Sequence, residues 1–385
     1  MAKLKKQHMT IHWKAIVQDD SSIPATEATL KEKATLVGRI GLMMLSVGTG
    51  AWRVRNSMNK VSRCLGITCT ADIGLLAISY TCIEGTDTYT QSISLPTTGV
   101  NTHKLMELEL FMKEFPDKVS TYSVKHIHEV LDEIQKLPAN YQAWNLGLAS
   151  ALACGAFTFL LGGGPVEMCC AFLGAGVGNF VRKKMLGHSI SLLANVAVSV
   201  AASCLVYVLT ILLAQQLLSV SAVHQAGYIC AMLFVIPGFP LITGGIDLAK
   251  LDLRSGLERV SYALLIILTA TMTGWATAAI CQFQPADFEP LQLQKWTLLC
   301  FRLIASFCGV YGFSLMFNSP RKMAMTAGLI GMFANTLRLE LIDLAHFPVG
   351  IAAFIGAFFT GCVASIVKKK IGYPRISLTV PAIVI

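Results

Sequence analysis

The sequence predicts a polytopic α-helical membrane protein: two five-helix modules of inverted topology, the second incomplete, behind an N-terminal cytosolic α+β domain. Three observations lead there. Of 385 residues, 54% are hydrophobic and 14% are charged, whereas ordinary soluble domains carry roughly 25% charged residues. The acidic residues are unevenly spread: 14 Asp and Glu precede residue 140 and 8 follow it, although the second part is much longer. Finally, segments 137–166, 185–246, 260–286 and 344–367 contain no Asp, Glu, Lys or Arg. A bilayer core takes about 20 apolar residues per helix. Each segment can therefore cross a membrane, and 185–246 can cross twice, with the polar patch 219–225 as its turn.

The opening "MAKLKKQHMTIHWKAIVQDD" is basic and lacks the apolar core of roughly 7–15 residues that a secretory signal needs. Residues 1–27 read as a flexible tail, and 28–140 as a cytoplasmic domain. Leu36, Ile40, Met43, Met44 and Val47 form one helical stripe; Gly48 and Gly50 interrupt it, and Val54, Met58, Val61 and Leu65 resume it, with Gly66 as a C-cap. "ADIGLLAISYTCI" and "TYTQSISL" read as two strands around the turn "EGTD" at 84–87. Segments 104–115 and 123–137 read as amphipathic helices, the second ended by Pro138. The twelve cysteines show no CxxC pair and no Cys/His ligand spacing, so they read as packing residues in a reducing compartment, and no metal or other cofactor is expected.

Membrane helices are expected near 143–161, 166–181, 189–218, 226–246 and 257–280, forming a first module over 141–283. Four more, near 296–317, 322–337, 346–367 and 376 to the end, fall in a second module over 284–385. Twelve Lys and Arg fall in alternate connections, among them Arg182, Lys183, Lys184 and 368–370; the intervening connections hold only Lys295 and Arg338. The positive-inside rule then places the N-terminal domain in the cytoplasm. "FLLGGGPVEMCCAFLGAGVGNFVRKKML" (159–186) and "SLMFNSPRKMAMTAGLIGMFANTLRLEL" (314–341) share a pattern of proline, glycine, asparagine and arginine, on the second and seventh helices. A unit with an odd number of helices inverts its tandem copy, which is the architecture of many secondary transporters. By the same spacing the second copy of the broken helix falls near about 392, beyond Ile385, so a longer native chain is expected.

Three stretches carry a resemblance: "GTGAWRVRNSMNKVSRCLGI" (48–67), "FLLGGGPVEMCCAF" (159–172) and "IPGFPLITGGIDLAKLDLRSGLERVSYAL" (236–264). Together they resemble the threonine/serine exporter family, whose members join a cytosolic domain to two five-helix modules, fused or as two subunits. The resemblance covers about 36–385. It implies a bacterial inner-membrane, multi-pass exporter driven by proton antiport, with threonine and serine as substrates. Some two-subunit relatives are associated with C4-dicarboxylate export, so a dicarboxylate is the alternative. The chain departs from the family at Arg55, where an acidic residue is usual.

The candidate substrate site is the broken helix. Pro237 removes a backbone donor, and Gly238 adopts geometry that other residues resist. Pro240 adds a second break, while Gly244 and Gly245 let a ligand approach the backbone. The freed carbonyls and amides can bind a zwitterion, and Asp247 can take a proton or pair with an ammonium. The competing reading is a proline kink at a cytoplasmic helix end, with 247–259 as a solvated loop.

Glu167 opens the second helix as either a functional group or a helix N-terminal charge. Arg302, seven residues into an uncharged helix, faces a cavity or snorkels to the interface. Asn179 and Asn335 fit interhelical hydrogen bonding along the pathway; Arg338, Glu340 and Asp343 read as loop charges. The partners expected are a small-molecule substrate (an amino acid or a dicarboxylate), protons and membrane lipid; further copies of the chain are left open. Nucleic acid is not expected. No catalytic residue is assigned: Asp247 and Asp252 do not match paired-aspartate transferase spacing, and no Ser-His-Asp set, phosphate loop or HExxH motif occurs. A channel or scaffold is the rival class.

Overall fold

The computed structural model describes residues 11, 13, 23–186, 188, 190–218, 227–283, 288 and 291–384. Most of the expected tail over 1–27, and the whole of the expected turn over 219–225, lie outside the described residues. The chain forms two compact units: Met1–Pro138 with Phe239–Tyr262, and Ala139–Gly238 with Ala263–Ile385.

In the first unit, α1 (Leu30–Ser46) starts at a capping box in which the Thr29 side chain and Glu32 satisfy each other's backbone N–H. It ends at Val47, followed by Gly48 at φ 93°. Helix α2 (Ala51–Cys64) follows, and Gly66 at φ 73° closes it. The stripe from Leu36 to Leu65 is buried throughout, as its spacing predicts. Strands β1 (Thr68–Ile73), β2 (Ala77–Glu84) and β3 (Asp87–Ser94) form one antiparallel sheet in that order.

The expected single strand over 71–83 is thus two strands, with Gly74 N–H donating to the Ala77 carbonyl across the turn at 2.8 Å. The reason is parity. Ile73 and Ile78 are both buried although an odd number of residues apart, and a straight strand would send them to opposite faces. A β-carbon on Gly38 would lie 2.1 Å from Tyr80 Oη, so glycine lets α1 press onto the sheet. Helices α3 (Thr102–Lys118) and α4 (Val124–Lys136) are capped by the side chains of Asn101 and Ser123.

The second unit is helical. It holds α5 (Ala143–Leu160), α6 (Pro165–Met185), α7 (Leu192–Leu218) and the short α8 (Tyr228–Ala231), which continues as a 3₁₀ turn over Leu233–Val235. After the interruption come α9 (Gly238–Ala249) and α10 (Leu253–Ile280), then α11 (Lys295–Met316), α12 (Arg321–Asp343), α13 (Val349–Ile371) and α14 (Arg375–Ile383). Residues 239–262 of α9 and α10 belong to the first unit. Each expected membrane helix is helical, the fourth as a broken pair. Among the described residues five helices are long and apolar enough to cross a membrane: Ala143–Leu160, Leu192–Leu217, Leu253–Ile280, Lys295–Met316 and Val349–Ile371; the broken pair makes a sixth if it counts as one span. The core of this unit is built from Ala153, Phe157, Phe313, Met323, Ile330 and Leu378. Backbones approach closely within it. A β-carbon on Gly312 would sit 2.5 Å from the Ala149 carbonyl, the small-residue packing that membrane helices use in place of a hydrophobic driving force.

Candidate functional site

Asp247 lies in the last turn of α9 and is fully buried. Its Oδ2 accepts from Ala51 N–H and from Ser255 Oγ, each at 2.9 Å, and stands 3.3 Å from Arg259 Nε. The local chain sets this up. Leu251, at φ 64°, reverses the backbone after α9, so that the first turns of α10 face Asp247. Gly256 permits the close return, since a β-carbon there would lie 3.0 Å from Leu248 N.

Asp247 also does what a capping side chain does. Helix α2 opens at Gly50, which has no side chain to cap it, and the first amides of a helix need an acceptor. The carboxylate reaches in from 196 residues away to supply one. A β-carbon on Gly50 would lie 2.7 Å from Asp247 Oδ1, so only glycine leaves room.

Arg259 completes the cluster. Its Nη2 donates to the Thr49 carbonyl at 2.7 Å, Nε to Ser255 Oγ at 3.1 Å, and Nη1 to Thr243 Oγ1 at 3.4 Å. Thr243, Ser255 and Arg259 are all buried, and Asp247 Oδ1 has no hydrogen-bond partner among the described residues. Around this centre, Arg55 pairs with Asp252 at 2.6 Å, Arg254 pairs with Asp72 and Glu258, and Glu258 accepts from Leu75 N–H at 2.6 Å. A solvated loop describes Arg254, whose side chain is 56% exposed, but not Asp247 or Arg259. Sequence reasoning singled out Asp247 and missed Arg259, Ser255 and Thr49; the signal available was one arginine at the edge of an uncharged run, twelve residues on from the aspartate.

The break itself is present. The 3₁₀ turn ends at Ile236 with ψ 122°, and α9 restarts at Gly238. Pro240 lies in the first turn of α9, where its missing N–H leaves nothing unpaired. Gly244 lets α9 close on α10, with a β-carbon there 3.0 Å from Val260 Cγ2, whereas a β-carbon on Gly245 would meet nothing within 4 Å among the described residues. On the other side of Pro237, protein groups hold carbonyls of the ending helix: Arg182 Nη1 donates to Phe234 O at 3.2 Å, and Ser203 Oγ to Ala231 O at 2.7 Å.

The remaining candidates lie in the second unit. Glu167 is buried and accepts from Gly164 N–H at 3.0 Å at the start of α6, the geometry of a helix N-terminal charge. Asn179 is buried and donates to the Leu146 carbonyl at 2.7 Å, and its Oδ1 has no partner among the described residues. Asn335 is buried, with its Nδ2 likewise unpartnered among them. Arg302 pairs with Glu340 at 2.8 Å and with Asp343. Those two acids are therefore helical partners of an arginine, not loop charges. Among the described residues no three His, Cys, Asp or Glu side chains converge as metal ligands.

Two family models, both described as threonine/serine exporter, match residues 35–281 and 302–385. A protein of Klebsiella aerogenes named "Probable succinate transporter subunit YjjP" is 25% identical over 234 residues, covering 60% of this chain and 87% of its own. The protein of the same name from Escherichia coli K12 is 25% identical over 235 residues, covering 61% and 88%. The "Pheromone-regulated membrane protein 10" of Debaryomyces hansenii is 22% identical over 273 residues, which are 66% of this chain and 25% of that protein. No solved structure matches at a comparable level.

Proposed function

Because the chain belongs to the threonine/serine exporter family, we propose that it is a secondary transporter that exports small carboxylate-bearing metabolites, threonine and serine first, in exchange for protons. The observation that carries this reading is the buried pair of Asp247 and Arg259. A guanidinium binds one carboxylate at a time in a given geometry. While Asp247 is ionised it occupies Arg259. Protonating Asp247 removes the competing charge and frees Arg259 for the carboxylate of a substrate; loss of that proton expels the substrate. The unpartnered Oδ1 of Asp247 is the atom that would receive the proton. Such competition couples proton and solute movement in opposite directions without a covalent step.

Two membrane modules of inverted topology fit this mechanism. Helices α5–α6 and α11–α12 are both helix pairs joined by a tight turn ahead of a proline, and each is followed by a long apolar helix. The basic connections favour a cytoplasmic N-terminal domain in an inner membrane. The second reading, a C4-dicarboxylate exporter, is favoured by the names of the bacterial relatives. Those names call the relatives subunits, which also favours assembly with a second copy or chain.

The test is efflux from proteoliposomes preloaded with labelled threonine, serine or succinate. We expect efflux of one class to be accelerated by an inwardly directed proton gradient and abolished when the gradient is collapsed. Equilibration that ignores the gradient would make the protein a channel, and consumption of the solute would make it an enzyme.

A further inference from the structure

We propose that the cavity between α1, α3 and α4 of the first unit is a binding site for a small organic carboxylate, separate from the Asp247 cluster. The cavity has a volume of about 110 Å³, and its walls include Trp13, Arg39, Leu42, Lys104, Leu108 and Gln135. A water molecule needs about 10–15 Å³ of such space, so there is room for a short-chain acid.

The polar lining carries a surplus of donors. Arg39 is 1% exposed. Its Nη1 bonds the Nδ1 and carbonyl oxygen of His128, each at 2.9 Å, and its Nη2 bonds Asp132 and Gln135. The fifth N–H, on Nε, has no partner among the described residues. Lys104 gives one N–H to the Gln135 carbonyl at 2.5 Å, and an ammonium has two more. Among the described residues two cations and no carboxylate line the space; Asp132, paired with Arg39, offsets one of them. A buried donor left without an acceptor is costly, so the cavity favours an anionic acceptor. The other walls, Leu42, Met43, Val47 and Leu108, are apolar. They suit a short alkyl chain behind a carboxylate and offer nothing to a fully hydrated tetrahedral anion. The indole of Trp13 lies against the same guanidinium, 5.7 Å from it. Ser46 and Val47 line the cavity, and Thr49 and Ala51 bind Arg259 and Asp247, so one short turn of chain borders both places.

Trp13 allows a local readout among the five tryptophans of the chain. The full-length protein in detergent is titrated with sodium succinate, with sodium phosphate and sodium chloride at matched ionic strength as the other arms, and tryptophan emission is followed. The expected result is a saturable change with succinate alone. Trp13→Phe should remove the change. Lys104→Gln, on a half-exposed side chain, should raise the half-saturating concentration at least tenfold while leaving the thermal midpoint near that of the parent. Asp247→Asn should keep the saturable change even where it stops export, so failure of the transport reading leaves this one standing. The proposal is overturned by no saturable change, by a change that survives Trp13→Phe, by Lys104→Gln titrating like the parent, by phosphate matching succinate, or by loss of the signal in Asp247→Asn.

Discussion

Asp247→Asn is the most informative single change. Asparagine keeps the shape and one carbonyl oxygen, so it can still accept from Ala51 N–H or Ser255 Oγ, now 2.9 Å from Oδ2. It loses the charge opposite Arg259, which is buried. Breaking a buried pair by removing one partner costs about 3–5 kcal/mol. Here the orphaned guanidinium keeps Thr49 O, Ser255 Oγ and Thr243 Oγ1, and the capping bond survives, so we expect less than that, about 2–3 kcal/mol. A protein of ordinary stability tolerates that loss. Gradient-driven export should nevertheless vanish, because an amide cannot exchange a proton in the accessible pH range. The assay is efflux from proteoliposomes at several internal pH values, beside thermal denaturation of the same preparation. A folded Asn variant that exports with the parent's pH dependence would refute the competition mechanism and remove Asp247 from the transport site.

Two further outcomes test the fold. Gly312→Ala should destabilise the second unit by about 1–3 kcal/mol through overpacking, because the nearest atom, 2.5 Å away, is the backbone oxygen of Ala149 and cannot rotate aside; Gly361→Ala, with nothing within 4 Å among the described residues, should stay close to the parent in the same thermal melt. The second concerns His128, which is held neutral, its pKa pushed down to about 3 by burial and by the Arg39 guanidinium, with Asp132 opposing. Between the ordinary histidine value and about 3 the unfolded chain binds the extra proton, so acid weakens the first unit with a slope approaching about 1.4 kcal/mol per pH unit. Hydrogen exchange of α1 and α4 in the full chain, from pH 6.5 down to 5, should show that slope, and His128→Gln, which keeps an acceptor for Arg39, should flatten it.

The membrane helices were legible because an uncharged apolar run of such length is stable in few places besides a bilayer, and the α1–α2 stripe because its glycines punctuate it. The β1–β2 turn was hidden inside "IGLLAI", where the apolar run continues through the bend; the odd spacing of Ile73 and Ile78 was the clue. At the site, Asp247 stood out beside a helix break, but its partner did not. Pairing it with Arg259 depends on the left-handed Leu251, a residue that gives no warning of that conformation. The union of Arg302 with Glu340 and Asp343 joins residues far apart in the chain, and no periodicity rule reaches so far. Gly50 was legible as an interruption, but not as the gap that a distant carboxylate fills.

The Asp247 cluster also does a structural job, because it ties α9 and α10 to the start of α2. Whether that job is sufficient turns on charge. Capping a helix needs an acceptor, and asparagine or serine serves as well as aspartate. A buried ion pair is a weak device for stability, since apolar side chains of similar volume usually do as well or better. Here the cost is raised further by a carboxylate oxygen with no hydrogen bond from any described residue. A joint alone accounts for a polar residue at 247 and a donor at 259, but not for a carboxylate and a guanidinium kept out of water together. The alternation proposed above, between an internal carboxylate and an incoming one, uses both.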